Sequence, residues 1–190
     1  MENMKRGKLD MNRFNDIHKI AIVGGQGTGK TVLANNLGRE YDLPICHLDG
    51  IQNLANWEKR PKDERDKIIM EKIYEEKWII DGTYVNTLEE RVRRADLVIF
   101  LNFSAIERIK GVILRYMKNR GKEKLDIPGC KEQINIKFIK YTLEWDKEKG
   151  EIVKEILHKY DKKDGKILVF KKRKDLNIWY KQVFHKSISY

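Results

Sequence analysis

Eight consecutive residues, GGQGTGKT at positions 24–31, have the composition and spacing of a loop that binds phosphate groups. Glycines let the backbone curve so that several N–H groups point at one anion, and a helix that begins there adds its positive end. The spacing of Gly24, Gly29, Lys30 and Thr31 matches the P-loop pattern in full. In that pattern the lysine reaches the β- and γ-phosphates, and the threonine hydroxyl reaches Mg²⁺. The predicted phosphate-binding residues are Gly24, Gly25, Gln26, Gly27, Thr28, Gly29, Lys30 and Thr31.

Two aspartates at the ends of apolar runs could complete a magnesium and acceptor site. Asp81 ends the run WIID, and a carboxylate there would hold the metal or its waters together with Thr31. Asp49 ends the run LPICHLD and could act as a general base or anchor the acceptor hydroxyl. Each aspartate precedes a glycine, so a cap or turn role is the alternative for both.

Cationic side chains that could stabilise a transferring phosphoryl group lie before and within the segment GKEKLDIPGCKE (121–132). Phosphoryl transfer depends mainly on positioning and on charge stabilisation, so a kinase needs arginines that close over the phosphates and exclude water. Arg115 and Arg120 stand near the entrance of this segment, where a lid would begin. Further cations of this region are Arg108, Lys122 and Lys124. A solvated basic helix face is the alternative interpretation of each.

Strands alternate with helices along the chain, and this alternation would position the residues named above. The predicted strands are 18–23, 43–49, 77–81, 96–103 and 166–170. They read as continuous apolar runs, which predicts an α/β fold with a parallel sheet covered on both faces. Right-handed crossovers and a central first strand give an open, doubly wound sheet that binds ligands at the carboxyl ends of its strands.

Helices are predicted between these strands from apolar spacing and from signals at their ends. They run over about 30–41, from Arg60-Pro61, over 88–95, from Ser104 to about Arg120, over roughly 133–161 and over 175–184. The pairs Thr87/Glu90 and Ser104/Glu107 have capping-box spacing and predict two of the starts. The segment 121–132 contains two glycines and a proline, which predicts a loop.

Length, charge and cysteine content limit the class of protein. The 190 residues suit one domain, 18–190, preceded by a loosely held extension over 1–17. The formal net charge of +11 favours polyanionic partners, nucleotides as readily as nucleic acid. Two cysteines form neither a disulfide framework nor a zinc set, and no apolar run resembles a signal or a membrane span. We therefore expect a protein of the reduced cytoplasm.

The chain resembles the adenylate kinase-related branch of the P-loop kinases and, within it, the bacterial topology modulation proteins. The resemblance covers nearly everything after about residue 17. It is carried by KIAIVGGQGTGKT, LPICHLD, Trp57 with Arg60-Pro61, WIIDGTY, ADLVIFL, RYMKNRGKEKLDIPGC and ILVFKKRKDL. It implies a three-layer P-loop NTPase fold with five parallel strands in the order 2-3-1-4-5 and a small lid at about 118–134. It also implies ATP as the donor and Mg²⁺ as the cofactor.

The resemblance leaves the phosphoryl acceptor unidentified. In adenylate kinases an Asp-Gly-Phe-Pro-Arg stretch follows the third strand, whereas here Asp81-Gly82 is followed by Thr83-Tyr84 and then by Val85. This difference puts AMP in doubt as the acceptor. Arg60 and Arg91 could contact an acceptor, with Thr83 and Tyr84 shaping its pocket, although both arginines could equally be surface residues.

Three functions are compatible with these residues. The favoured one is a small kinase that transfers the γ-phosphate of ATP to a nucleotide or another small molecule. The alternatives are a nucleic-acid-associated NTPase or regulator of DNA topology, and a catalytically silent nucleotide-bound module. No helix-turn-helix, zinc-finger or RNA-recognition signature supports nucleic-acid binding. A GTPase is disfavoured because the sequence has no guanine-reading Asn/Thr-Lys-x-Asp motif.

Several residues near these motifs are expected to be structural. Trp57 is interpreted as a packing residue, Cys46 as a core residue, Cys130 as an inert loop thiol, and the KKRK stretch (171–174) as a solvated basic turn. Neither His18 nor His47 is assigned a role, because no histidine pair has metal-ligand spacing.

Overall fold

A central parallel sheet organises the chain, whose computed structural model describes residues 14, 16–124, 126–164 and 166–189. The strands are β1 Lys19–Gly24, β2 Ile45–His47, β3 Trp78–Asp81, β4 Leu97–Leu101, β5 Glu123–Lys124, β6 Ile127–Lys131 and β7 Ile167–Phe170. Five of them pair in parallel in the order β2-β3-β1-β4-β7. The predicted α/β class and strand order 2-3-1-4-5 are therefore confirmed, with β7 as the fifth strand of the sheet.

Helices cover both faces of this sheet, which makes three layers. They are α1 Lys30–Tyr41, α2 Leu48–Gln52, α3 Lys62–Tyr74, α4 Val85–Arg94, α5 Ala105–Asn119, α6 Ile136–Trp145, α7 Glu151–Asp164 and α8 Arg173–Phe184. Two short turns complete the description: a 3-10 turn at Ala55–Trp57, and a π-helical turn at Asp146–Gly150 between α6 and α7. The long helix predicted over 133–161 is thus two α-helices joined by that π-helical turn.

The central strand β1 feeds two separate hydrophobic cores because successive side chains of a strand point to opposite faces. Ile20 and Ile22 pack into the cluster that includes residues of α1 and α8. Ala21 and Val23 pack into the cluster that includes residues of α3, α4 and α7. All four are fully buried, which explains why the sequence of this strand is apolar throughout.

Predictions at two helix starts have different outcomes. Ser104 precedes α5 and its Oγ accepts a hydrogen bond from the Glu107 N–H at 3.3 Å, so the predicted cap is confirmed. The prediction of a capping box at Thr87 is wrong, because α4 already begins at Val85 and Thr87 lies inside the helix. The Thr87 hydroxyl donates to the Tyr84 carbonyl oxygen at 3.4 Å, and Glu90 pairs with arginines of its own helix.

The predicted loop at 121–132 contains a small antiparallel hairpin, β5–β6. We call this hairpin the lid. It includes Pro128 and Gly129, residues that favour a loop when read alone, so the pairing was not visible in the sequence.

The end of the predicted extension is part of the domain. Phe14 and Ile17 are buried in the core on the α1 and α8 side, and the Phe14 ring lies 6.0 Å from Trp179. The expectation of a loosely held segment is therefore wrong for these two residues, whereas 1–13 and 15 lie outside the described residues. Within the described ranges, we find no helix long and apolar enough to cross a membrane.

Candidate functional site

The P-loop runs from the end of β1 into the first turn of α1 and depends on left-handed backbone. Gly27 has a φ of 73° and Gly29 a φ of 92°, a region that side-chain-bearing residues rarely adopt. Gly29 is the N-cap of α1 and has no side chain to compete for the first N–H groups of the helix. The hydroxyl of Thr28, a fully buried residue, donates to the Gly25 carbonyl oxygen at 2.9 Å. The loop is therefore a pre-shaped cradle of the kind that binds phosphate.

Lys30 closes this cradle from the first position of α1. Its Nζ donates to the Gly25 carbonyl oxygen at 2.9 Å, so the side chain folds back across the loop. Burial lowers the pKa of Lys30, whereas the carboxylates of Asp49 and Asp81 act in the opposite direction. An ammonium that has lost hydration in this way gains strongly from a phosphate partner. Thr31, the next residue, lies in the first turn of α1 and is partly buried.

Asp81 ends β3 and is held by a residue for which the sequence predicted no role. His47 lies opposite Asp81 in the parallel register of β2 and β3. Its Nδ1 lies 2.9 Å from Asp81 Oδ1, and Asp81 is only 3% exposed. Burial favours the neutral imidazole, but the hydrogen bond and charge of Asp81, together with the charges of Asp126 and Asp49, raise the pKa of His47 overall. His47 therefore fixes the orientation of the predicted magnesium ligand.

Asp49 lies in the first turn of α2 rather than at a strand end, because β2 already stops at His47. Its Oδ1 accepts a hydrogen bond from the Tyr84 hydroxyl at 3.0 Å. Burial and the neighbouring Asp49 charge raise the pKa of Tyr84, so this hydroxyl remains protonated and continues to donate. Asp49 itself is exposed and retains capacity for further hydrogen bonds.

Thr83, predicted to shape an acceptor pocket, contacts the P-loop instead. Its hydroxyl donates to the Gly24 carbonyl oxygen at 2.9 Å and accepts from the Gly24 N–H at 3.1 Å. This pair of hydrogen bonds links the turn after β3 to the start of the P-loop.

Three residues that we call the floor, centred on a buried arginine, support the P-loop from below. The side chain of Arg108 is fully buried and donates to both carboxylate oxygens of Asp146, at 2.8 and 3.0 Å. The same guanidinium donates to the carbonyl oxygens of Phe103 and Thr142 and lies over the Trp145 ring at 5.2 Å. The floor therefore consists of Arg108, Asp146 and Trp145, on α5, the π-helical turn and α6 respectively.

The floor touches the loop so closely that only glycine fits. A Cβ at Gly25 would lie 2.5 Å from Arg108 Cδ, and a Cβ at Gly27 would lie 2.1 Å from the Arg108 carbonyl oxygen. A Cβ at Gly111 on α5 would lie 2.0 Å from the Gly27 carbonyl oxygen. Gly27 is thus required by packing as well as by backbone conformation, and Gly25 by packing.

The lid packs against the 3-10 turn and the residue before it. The Cys130 thiol donates a hydrogen bond to the Leu54 carbonyl oxygen at 3.2 Å. Its sulfur also accepts a hydrogen bond from the Trp57 backbone N–H, with 3.2 Å between Sγ and N. The Lys124 ammonium lies 5.6 Å from the centre of the Trp57 ring. Cys130 is fully buried, so its interpretation as an inert loop thiol is replaced by a docking contact.

The arginines predicted to act in the site make different kinds of contact. Arg115 pairs with Glu132 at 3.0 Å, which ties α5 to the chain just after the lid, and Arg120 is exposed at the C-cap of α5. The Arg60 Nε donates to the Ile51 carbonyl oxygen at 2.8 Å. Fully buried Arg91 donates to the carbonyl oxygens of Gly82 and Tyr84 at 2.9 and 3.0 Å. The structure therefore engages Arg60 and Arg91 in holding backbone segments together.

Sequence reasoning did not foresee the roles of His47, of the Arg108–Asp146 pair or of Arg173. His47 lies opposite Asp81, the last residue of WIID, but this can be seen only once the register of β2 and β3 is known. Arg108 and Asp146 are 38 residues apart, and no local pattern links them. Arg173 of the KKRK stretch donates to the Gly27 carbonyl oxygen at 3.2 Å and lies over the Phe103 ring at 5.4 Å, so at least this side chain is not a solvated turn residue.

Solved structures of shikimate kinases share this architecture. The chain superposes on the shikimate kinase from Bacteroides thetaiotaomicron with a TM-score of 0.53 and 15% identity, covering 90% of this chain and 100% of that one. For shikimate kinase from Acinetobacter baumannii in complex with shikimate, the TM-score is 0.57 at 14% identity, covering 92% and 99%. The chain has the P-loop kinase fold. At these identities the likeness concerns the fold and not the substrate.

Two curated relatives match by sequence. The gas vesicle ATPase GvpN of Haloferax mediterranei is 27% identical over 127 residues, which is 63% of this chain and 36% of that protein. GvpN1 of Halobacterium salinarum is 26% identical over 136 residues, 67% of this chain and 39% of that protein. The chain therefore spans little more than a third of the length of these relatives. No protein-family model matches the chain.

Proposed function

We propose that this protein is a small kinase that transfers the γ-phosphoryl group of Mg-ATP to the hydroxyl group of a small molecule. One observation carries the proposal: the Lys30 ammonium lies in the P-loop cradle, within electrostatic range of Asp49 and Asp81. A donor site and two carboxylates that could serve the metal and the acceptor therefore converge on one cation.

The donor would be held by the P-loop, residues 24–31. Backbone N–H groups and the start of α1 would bind the phosphate oxygens, and Lys30 would exchange the Gly25 carbonyl for the β- and γ-phosphates. Arg115 and Arg120, at the C-terminal part of α5, would add positive charge over the transferring group as the lid closes. These arginines remain predictions as catalytic residues.

The chemistry of Thr31 and Asp81 fits a magnesium ion. Mg²⁺ takes oxygen ligands and is usually bound through one or two carboxylates together with substrate phosphates. Asp81 is buried, oriented by His47 and close enough to Lys30 to act on its pKa. Bound Mg²⁺ would neutralise charge on the phosphates, and Asp81 with the Thr31 hydroxyl would hold it or its waters.

Two findings bear on the finer assignment. The gas vesicle ATPases named above match this chain over 63% and 67% of its length, which supports ATP as the nucleotide. Within the P-loop kinases we place the chain in the adenylate kinase-related branch, with the topology modulation proteins. The motifs HLD and WIIDGTY and the presence of a lid support that assignment.

A transfer assay with a matched control tests the kinase proposal. The full chain with γ-labelled ATP and Mg²⁺ should transfer label to at least one member of a panel of nucleosides, nucleotides, sugars and polyols. Lys30→Ala should reduce the transfer rate by about 100-fold or more, because it removes the cation from the γ-phosphate. Lys137→Ala alters an exposed lysine of α6 and should leave the rate unchanged. Equal rates in Lys30→Ala and the native chain would contradict the proposal.

A further inference from the structure

The acceptor end of the site lies where α2, the turn after β3 and the lid meet. Asp49 of α2 contacts Tyr84, and its charge acts on the pKa of Lys30. The lid lies against the same helix, since a Cβ at Gly50 would be 2.5 Å from the Asp126 carbonyl oxygen. A molecule that receives a phosphoryl group next to Lys30 therefore faces Asp49 first.

The arginines on this side of the molecule are already engaged. Arg60 forms an ion pair with Glu64 in addition to its bond to the Ile51 carbonyl oxygen. Arg65 pairs with Asp66, donates to Gln52 Oε1 at 2.6 Å and lies over the Tyr84 ring at 4.9 Å. An arginine recognises an acceptor phosphate best when it has donors to spare, because bidentate pairing supplies both energy and geometry.

Three further cations near the site are also engaged. The Lys124 ammonium lies 3.8 Å from an Asp126 carboxylate oxygen, with both side chains largely buried. Arg115 pairs with Glu132. Arg91 is fully buried beneath the turn after β3. By contrast, Asp49 receives its one side-chain hydrogen bond, among the described residues, from the neutral Tyr84 hydroxyl. Within the described ranges, Asp49 is therefore a negative charge on this side that receives no hydrogen bond from a cation.

We infer that the acceptor is a hydroxyl compound without a phosphate or carboxylate group, and that Asp49 binds its hydroxyl. This inference rests on the proposed kinase function. A carboxylate accepts hydrogen bonds strongly from hydroxyl and ammonium donors and repels a second anion. Tyr84 holds one oxygen of Asp49 in place, and the remaining lone pairs of the carboxylate bind the acceptor.

The transfer step balances with Asp49 as the proton acceptor. The acceptor oxygen forms a bond to the γ-phosphorus as the bond from that phosphorus to the bridging β–γ oxygen breaks. The electron pair of the broken bond stays with the bridging oxygen, and ADP leaves. The hydroxyl proton passes to Asp49 and from there to solvent, because Asp49 is exposed. The phosphorylated acceptor is then an anion beside the Asp49 carboxylate, and this repulsion favours its release.

Binding measurements on matched pairs of compounds test the inference without depending on turnover. The full chain saturated with Mg-ADP is titrated calorimetrically with ribose and ribose 5-phosphate, glycerol and glycerol 3-phosphate, and adenosine and AMP. We expect the unphosphorylated member of at least one pair to bind about tenfold or more tightly than its partner, the size of one charge-assisted hydrogen bond. Label transfer from ATP should show the same preference.

Two variants assign the preference to a residue. Asp49→Asn should weaken binding of the preferred compound by about tenfold, whereas Asp63→Asn, an exposed aspartate of α3, should leave it unchanged.

The outcomes separate this inference from the kinase proposal. Tighter binding of the phosphorylated member in any pair, or binding of neither member in all three pairs, overturns the acceptor chemistry and leaves Mg-ADP binding intact. Absence of Mg-ADP binding to the native chain would instead remove the kinase proposal itself.

Discussion

The floor beneath the P-loop and the lid above the acceptor side are held by forces of different strength. Arg108 and Asp146 form a bidentate charged pair, with the arginine fully buried and in van der Waals contact with glycine backbone. The lid is docked by thiol hydrogen bonds of 3.2 Å at Cys130 and by one cation–π contact at Trp57. Charged bidentate hydrogen bonds are about twice as strong as neutral ones, and thiols are weak donors. We therefore expect the P-loop to be the more rigid of the two regions and the lid to detach more readily.

The difference matches what phosphoryl transfer requires of each region. A loop that binds phosphate gains from being shaped before the nucleotide arrives, because no binding energy is then spent on ordering it. A lid must open for each acceptor and each product, so its docking must be reversible. The turn beneath the lid is itself strained: Asn56 and Trp57 have φ angles of 57° and 62°, unfavourable for residues with a side chain.

Arg108→Ala should produce the largest change of any single substitution in the floor. It leaves the Asp146 carboxylate without its partner and opens a cavity under Gly25. We expect the free energy of unfolding to fall by about 3 kcal/mol, the lower end for a broken buried pair because Asp146 is 40% exposed. Urea denaturation followed by circular dichroism measures this. Arg108→Lys should recover part of the loss, and an unchanged denaturation midpoint would show that the floor is not structural support.

Gly111→Ala should have the next largest effect and should act on nucleotide binding more than on folding. The new Cβ would lie 2.0 Å from the Gly27 carbonyl oxygen and must displace the P-loop or α5. Overpacking of this kind costs about 1–3 kcal/mol. Calorimetry should show Mg-ATP binding weakened by about tenfold or more. Gly121→Ala is the contrasting change, since a Cβ there meets nothing within 4 Å, although its φ of 77° adds backbone strain.

The floor was also the part of the site least accessible from the sequence. The P-loop was predicted because its residues are adjacent in the chain and follow an apolar strand. Asp81 was predicted because it is the one acidic residue at the end of the apolar run WIID. The layered α/β architecture was predicted from the alternation of strands and helices along the chain. Arg108 was interpreted as a possible lid cation. Its partner Asp146 lies in the distant π-helical turn, and only the packing of α5 against α6 brings the two together. Asp49 was expected at a strand end, and its helical position could not be read from three residues of strand.

The contacts of the lid could not be predicted from the sequence either, because they depend on tertiary structure. A hairpin with Pro128 and Gly129 has a weak local β preference and is held by its contacts with the 3-10 turn. Cys130 looked inert for the same reason: its hydrogen bonds reach residues more than 70 positions away in the chain.

Cys130→Ala should have a smaller effect that is confined to the lid. It removes two weak hydrogen bonds, together about 1 kcal/mol or less. Amide hydrogen exchange in 127–131 should quicken by about threefold, with exchange in β1 and β4 unchanged. Cys130→Ser retains a donor and should lie closer to the native rate. Faster exchange throughout the sheet would mean that the lid is part of the cooperative core and not a detachable cover.

Trp57→Gly should produce the smallest effect, because two contributions oppose each other. Glycine relieves the backbone strain at a φ of 62°, while the ring contact with Lys124 is lost. We expect lid exchange to change by less than about threefold. Trp57→Ala loses the ring and keeps the backbone strain. The free energy of opening the lid should therefore be about 1 kcal/mol lower in Trp57→Ala than in Trp57→Gly. Equal exchange in the two variants would show that this turn stores no strain.

Calorimetric titration of the intact chain with Mg-ATP tests the central claim, that the pre-shaped P-loop and Lys30 bind a nucleoside triphosphate. We expect a single site with a dissociation constant of about 1 mM or tighter, weakened at least tenfold in Lys30→Ala and unchanged in Lys137→Ala. Absence of binding heat in the native chain, or equal affinity in the native chain and Lys30→Ala, would contradict the account.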